Sequence, residues 1–272
     1  MARRMIHLQA LLGTLASAAV VACAVALLAV SEKAEATFPG KNGRIAYSSY
    51  DGNDYEIYTV NSRGGDKFQV TNNARDDYSP SYSPNGKRIV YVELDRNDAE
   101  IYTINVGGRG KTQLTHNNAD EAGPSYSPDG KKIAYMVYSN ATGVTEIYTI
   151  YVGGGGKTKL TSGGQPSYSP DGKRIVYEGF EGSLIKEQNV DDASTNIYTI
   201  KAGGGGNLNL TKSPKNASIW NAWPSYSPDG EKIAYFYVPD GEIYTINARG
   251  GGKSRVTNDD AYPLKLSWGS RP

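Results

Sequence analysis

One string recurs through this chain. Ser-Tyr-Ser-Pro-(Asp/Asn)-Gly begins at Ser81, Ser125, Ser167 and Ser225, and Ser267-Trp268 echoes it near the C-terminus. Each full copy is followed by Ile-(Ala/Val)-Tyr, then Ile-Tyr-Thr-Ile, then a glycine cluster, then Leu-Thr or Val-Thr. The serine ahead of the second proline stands at 83, 127, 169 and 227, giving periods of 44, 42 and 58 residues. A unit of about 40–45 residues made of short alternating segments cannot bury its own faces and must stack on its neighbours.

The copy from Pro124 to Ser162 shows the content of one unit. PSYSP is a short run with proline at both ends, DGK is a turn, and KIAYMVY alternates apolar and polar positions. A polar loop leads to EIYTIYV, GGGGK makes a second turn, and TKLT ends the unit. That is four short strands with no helical periodicity, the content of a β-propeller blade. Proline cannot donate to a ladder, so PSYSP belongs on an edge and reads as strand a, nearest the central channel. IAY, IYTI and the Leu-Thr segment then read as strands b, c and d. The repeated tyrosines and isoleucines are expected to pack between blades.

Strand counting sets the closure. The N-terminal copy, Arg44 to Thr71, supplies b, c and d without a PSYSP, and Lys265 to Ser270 supplies a lone a-like strand. Together they complete one blade. Five a-strands and five b-c-d sets predict an all-β, five-bladed β-propeller of four-stranded antiparallel blades, closed by pairing the C-terminal strand with the N-terminal blade. An incomplete six-bladed ring is the alternative.

The repeat resembles that of the TolB family, whose units read Pro-x-(Trp/Tyr)-Ser-Pro-Asp-Gly-x-x-Ile-Ala-(Phe/Tyr), then Ile-Tyr, Gly-Gly and Leu-Thr. The resemblance runs from about Gly43 to the end. It departs from the family in lacking an α/β domain ahead of the propeller, in counting five blades rather than six, and in carrying Tyr for Trp in strand a except at Trp268. It implies a secreted or periplasmic propeller used for protein contacts.

A different sequence precedes the repeats. Arg3 and Arg4 lead an apolar run from about Ala10 to Val30, and Ala34-Glu35-Ala36 offers an A-x-A cleavage site. Residues 1–36 therefore read as a signal peptide and residues 37–272 as the propeller domain. An uncleaved membrane anchor and a lipoprotein start at Cys23 are alternatives. Cys23 is the single cysteine, so the domain has no disulfide and no thiolate site. Net charge is +1, which gives no basic footprint for nucleic acid.

Charge segregates by loop class. In an up-and-down blade the a–b and c–d turns share one face, and the b–c and d–a loops share the other. The latter hold Asp51, Asp54, Asp95, Asp98, Asp240, Asp76, Asp77, Asp120, Glu121, Asp259 and Asp260. The former hold Lys87, Arg88, Lys131, Lys132, Lys173, Arg174, Arg63, Arg109, Lys111, Lys157, Arg249 and Lys253. A disc with one acidic and one basic face is expected, and such a field steers a charged partner. Blade 4 adds insertions at Glu178 to Asn196 and Lys212 to Trp223, which carry Phe180, Leu184, Ile185, Ile219, Trp220 and Trp223. Aromatics on irregular loops over a rigid ring suit a contact surface, although they can equally cap the blade.

Catalytic readings fare poorly. The GG-x-GK-(Ser/Thr) strings near Lys111 and Lys157 lack the first phosphate-loop glycine and precede no helix, so they read as hairpin turns. His116 stands alone in the domain and supports neither a hydrolase triad nor a histidine metal site. The expectation is an exported, monomeric, non-catalytic module that meets a protein with a basic patch. Its candidate binding residues are Asp76, Asp77, Asp120, Glu121, Asp259, Asp260, Trp220, Trp223 and Phe180. The alternative is carbohydrate binding or glycoside cleavage by carboxylates at the channel mouth. No cofactor is expected, with Ca²⁺ at oxygen-rich loops such as 51–54 as a minor reading whose spacing is not that of an EF-hand.

Overall fold

Alternation of β-branched and aromatic residues makes the two central strands of each blade, and tight turns set their pairing. The computed structural model describes residues 44–61, 65–95, 98–139, 144–181, 194–214 and 219–257. Blade 1 contributes β1 (Arg44–Tyr50), β2 (Tyr55–Asn61) and β3 (Phe68–Gln69). Blade 2 holds β4 (Asp76–Tyr82), β5 (Arg88–Leu94), β6 (Ala99–Asn105) and β7 (Thr112–Gln113). Blade 3 holds β8 (Asp120–Tyr126), β9 (Lys132–Ser139), β10 (Val144–Tyr151) and β11 (Thr158–Ser162). Blade 4 holds β12 (Gly164–Tyr168), β13 (Arg174–Glu181), β14 (Ser194–Lys201) and β15 (Leu208–Asn209). Blade 5 holds β16 (Asn221–Tyr226), β17 (Lys232–Tyr237), β18 (Glu242–Asn247) and β19 (Ser254–Arg255).

Every sheet runs in chain order, and every strand pair is antiparallel. The protein is a five-bladed β-propeller. The closing strand expected at Lys265 to Ser270 and the leader expected at residues 1–36 lie outside the described residues. Among the described residues no helix is long and apolar enough to cross a membrane.

The core sits between blades. Ile57, Ile89, Ile101, Ile133, Ile147, Ile175, Ile197 and Ile233 have no exposed surface. Each such side chain contributes about 1.5–3 kcal/mol by leaving water. Tyr91 and Tyr135 pack with them in successive seams.

Two repeat elements differ from the sequence expectation. Strand a extends several residues ahead of PSYSP, so Asp76, Asp77, Asp120 and Glu121 are strand residues rather than loop residues. A bulge precedes each proline, where the residue is left-handed: Ser79 (φ 52), Gly123 (φ 58), Gln165 (φ 48) and Trp223 (φ 51). The bulge absorbs the ladder donor that proline lacks. In blade 2, Leu114-Thr115 lies just past strand d, and the hydroxyl of Thr115 accepts the N–H of Ile101 at 2.8 Å. Thr71, Thr211 and Thr257 do the same for Ile57, Ile197 and Ile243, so the threonine satisfies a strand-c donor that strand d leaves open.

The Ser-Pro-Asp-Gly turn is built by its own side chains. Ser127 Oγ donates to Asp129 Oδ1 at 2.6 Å and accepts the N–H of Lys132 at 2.9 Å, while Asp129 accepts the N–H of Lys131 at 3.0 Å. These bonds hold the Asp129 carboxyl below the usual range, the serine contributing most. Gly130 follows with φ 69, which a side chain would resist.

Candidate functional site

The b–c and d–a connections gather at one end of the blades, and the described acidic residues named from sequence fall there. Most prove to be tied into the fold. Asp76 accepts the N–H of Tyr55 at 2.9 Å, and Asp120 accepts the N–H of Ala99 at 3.2 Å. Each joins strand a of one blade to strand c of the blade before it. Asp77 and Glu121 are 0 % and 1 % exposed, which corrects their expected place on open loops. Asn73 donates its amide to Asp77 at 2.9 Å, and Asn117 donates its amide to Glu121 at 2.6 Å. Burial pushes the Asp77 carboxyl up to about 9, with Glu93 and Glu56 adding to the rise. Burial likewise pushes Glu121 up to about 8 against the hydrogen bonds of Thr115 and Asn117, with Glu100 adding to the rise.

The partners in these seams were missed in the sequence. Glu56 and Glu100 stand just ahead of Ile-Tyr-Thr in strand c, and both are buried. Their Oε1 atoms accept the N–H groups of Asn73 (2.5 Å) and Asn117 (2.6 Å). At the same places in the seam between blades 4 and 5 stand Asn196 and Asn221, both buried. The recurrence of an acid before Ile-Tyr-Thr, at Glu56, Glu100, Glu146 and Glu242, was the visible signal.

Among the described residues, blades 1 and 2 present a row of rings on this end. Tyr50 is 51 % exposed, its ring lies 5.5 Å from Tyr55, and Tyr55 lies 5.1 Å from Tyr78. Exposed Asp51 and the half-buried Asp76 and Asp95 flank this row of rings. Rings beside carboxylates form a surface suited to Lys or Arg side chains, which take ring faces and acid oxygens together.

The TolB beta propeller domain description matches residues 35–193, more than half of the chain. The chain belongs to the TolB beta-propeller family. TolB from Acinetobacter baumannii is similar in structure, with a TM-score of 0.65 and 25% identity over 88% of this chain. This chain spans only 57% of that TolB's length. A TolB candidate from Agrobacterium tumefaciens shares 18% identity and a TM-score of 0.63, covering 83% of this chain and 80% of its own. An oligogalacturonate lyase in complex with manganese shares the fold at 13% identity and a TM-score of 0.61, over 82% of this chain and 64% of its own. No curated protein matches the sequence.

The opposite face of this TolB-family propeller is less basic in effect than its sequence suggests. Lys111 reaches back across the Tyr102 ring (4.7 Å) to pair with buried Glu93, which also binds Arg75 at 2.7 Å. Lys157 lies 4.7 Å from the Tyr148 ring and 3.8 Å from Glu121. Lys253 covers Tyr237 and Tyr244 at 3.9 and 4.4 Å. These turn lysines stabilise their own blades. A cavity of about 930 Å³ opens on this face between blades 4 and 5, lined by Lys173, Arg174, Lys201 and Arg249 with Asp171 and Asp229.

The blade 4 aromatics are not free anchors. Phe180 belongs to β13 opposite Thr195 and is half-buried. Trp223 belongs to β16, stacks on Phe236 at 5.5 Å, and donates its N–H to Glu178 at 2.6 Å. Burial still pushes that carboxyl up to about 7. Trp220 is half-buried, and its carbonyl accepts the N–H of Val238 at 2.9 Å. Asp259, Asp260, Leu184 and Ile185 lie outside the described residues.

Proposed function

We propose that this TolB-family propeller is an exported, non-catalytic module that holds a protein partner through basic residues of that partner. The row Tyr50–Tyr55–Tyr78 beside Asp51 and Asp95 carries this reading. It supplies exposed ring area and acid oxygens on one rigid rim, the composition of an interface anchor for Arg and Lys. Family membership supports a protein-binding propeller, and the leader-like sequence of residues 1–36 supports a secreted or periplasmic location. The seam carboxylates do not favour glycoside cleavage, because Asp77 and Glu121 are closed off from a sugar by burial.

The test is capture from the native cell envelope with the full chain and two variants. Tyr50→Ala combined with Asp51→Asn should lose the partner that the wild type retains after washing. Lys131→Gln combined with Lys173→Gln should keep it. The reverse pattern would move the working surface to the face with the cavity, and a purified chain that cleaves oligosaccharides would replace the reading with an enzymatic one.

A further inference from the structure

We propose that two proton-bridged carboxyl pairs, Glu56 with Asp77 and Glu100 with Glu121, latch blade 1 to blade 2 and blade 2 to blade 3, and that rising pH releases both. Each pair joins strand c of one blade to strand a of the next, and all four side chains are buried. One asparagine ties each pair. Asn73 donates its N–H to Glu56 Oε1 and its side-chain amide to Asp77 Oδ2. Asn117 holds Glu100 and Glu121 in the same way, at the same sequence spacings of 17 and 4 residues.

The remaining oxygens carry the inference. Glu56 Oε2, Asp77 Oδ1, Glu100 Oε2 and Glu121 Oε2 are all buried without a hydrogen-bond partner. Two ionised acids offer each other only acceptors. One proton turns either acid into a donor, and a single O–H···O⁻ bond then satisfies the open oxygen of both. Glu56 lies within side-chain hydrogen-bonding reach of Asp77, and Glu100 of Glu121. The seam between blades 4 and 5 makes the same tie with amides at these places. Asn196 and Asn221 stand there, and Asn196 Oδ1 accepts the N–H of Ser213 at 2.7 Å, again 17 residues on.

The surrounding groups favour retention of the proton. Asp51 and Asp54 each bring a carboxylate oxygen within 4.8 Å of Glu56. Glu93 stands beside Asp77, but Arg75 and Lys111 pair with it. Asp98 adds negative charge next to Glu100, and Lys157 stands 3.8 Å from Glu121 with its stem half in water. The Tyr91 and Tyr135 phenols, pushed up by burial, stay neutral. Burial, with the facing acids adding, pushes Asp77 up to about 9 and Glu121 up to about 8. Each proton is held below these values and passes to water as pH rises through them, whereas the unfolded chain releases it in the ordinary carboxylate range. Above the transition two buried negative charges face each other across each seam, which opposes its closure. The inference does not depend on the partner reading.

The carbonyl stretch of a protonated carboxyl, followed by infrared spectroscopy of the full chain from pH 6 to pH 10, reads the bridges directly. Two protonated carboxyls should be lost, near pH 8 and near pH 9. Asp77→Asn should remove one loss and Glu121→Gln the other. Glu178, pushed up by burial to about 7, gives an earlier loss that both variants keep. Glu56→Gln and Glu100→Gln take away only the facing carboxylate, and should move the losses at Asp77 and Glu121 down by about one pH unit or more. Amide hydrogen exchange reads the latch. Protection at Asn73 and Asn117, corrected for the intrinsic pH dependence of exchange, should fall about tenfold or more over this range. It should hold when Asp77→Asn and Glu121→Gln are combined. A wild type that loses no protonated carboxyl beyond that of Glu178 would overturn the proposal. So would unchanged losses in Glu56→Gln and Glu100→Gln, because burial alone would then hold each proton. Protons that leave with no change in protection would overturn it too, because the pairs would then latch nothing.

Discussion

Asp76 accepts the backbone N–H of Tyr55 at 2.9 Å, so the first residue of an inner strand in blade 2 satisfies a donor on blade 1. The propeller is thus held at its acidic end by side chain to backbone bonds as well as by the isoleucine seams. Asp76→Ala should cost about 1 kcal/mol in denaturant unfolding, because the donor is left half-enclosed without its acceptor. Asp76→Asn keeps a carbonyl oxygen in place and should cost only a few tenths. Equal stability for the alanine variant and the wild type would show that the bond contributes nothing.

The Glu121 carboxyl predicts an unusual pH dependence. Its folded value of about 8 lies above that of an unfolded glutamate, because burial outweighs the Thr115 and Asn117 bonds. Lys157, at 3.8 Å and 39% exposed, is too distant and too solvated to offset this. The folded chain therefore holds a proton that the unfolded chain has released. Stability from this group is complete below about pH 4 and is lost as pH rises through about 8. About 1.4 kcal/mol is at stake for each pH unit over which the two states differ by one proton. Unfolding at pH 6 and pH 9 should show a weaker protein at pH 9, and Glu121→Gln should reduce the difference to the part that the raised Asp77 carboxyl contributes. The amides Asn196 and Asn221 at the corresponding places in another seam show that neutral groups fit there. A wild type equally stable at both pH values would refute the account of a proton retained on folding.

The Ser-Pro-Asp-Gly turn carries its own control. Asn85 in blade 2 accepts from Ser83 Oγ (2.9 Å) and from the N–H of Lys87 (3.0 Å), as Asp129 does in blade 3. Asp129→Asn should therefore change stability by less than about 0.5 kcal/mol at neutral pH. Ser127→Ala removes a donor and an acceptor together and should cost about 1 kcal/mol. A large loss in Asp129→Asn would mean that the charge, not the hydrogen-bond geometry, holds the turn.

Lys111 offers a test of whether the turn lysines face inward. Replacement by Met keeps the stem over Tyr102 but leaves buried Glu93 with Arg75 as its cation. A loss of about 1–2 kcal/mol is expected, less than for a fully buried pair because Lys111 is 39% exposed. Glu93→Gln in the same chain should recover part of it. An unchanged Lys111→Met variant would return this lysine to the pool of free surface charge.

The blade count, the strand order within a blade and the isoleucine seams were legible because each depends on period and alternation alone. The site was harder to read. Charge in the sequence does not say whether Asp77 faces solvent or a seam, and the answer turns on a bulge at Ser79 that no propensity announces. Trp223 looked like a loop aromatic because it ends the Lys212 to Trp223 insertion, yet it continues strand a with a left-handed backbone and stacks on Phe236. Lys111 and Lys157 lie on the expected turns, but a four-carbon stem lets the ammonium reach the far half of the blade. The tyrosine row arose from three residues in two blades, a juxtaposition visible only in the folded ring.

The working face can be assigned by kinetics. A partner drawn by Asp51 and Asp95 meets these charges before contact, so its association rate should fall as salt rises, with a smaller change in dissociation. Asp51→Asn with Asp95→Asn should slow association severalfold and lower the salt slope. Tyr50→Ala should act on the other rate, raising dissociation about tenfold or more if its exposed ring is an anchor. Lys131→Gln with Lys173→Gln is the opposite-face control, both lysines being exposed on the a–b turns. Should that variant slow association while the aspartate variant does not, the partner is acidic and approaches the cavity beside Arg174 and Arg249 instead.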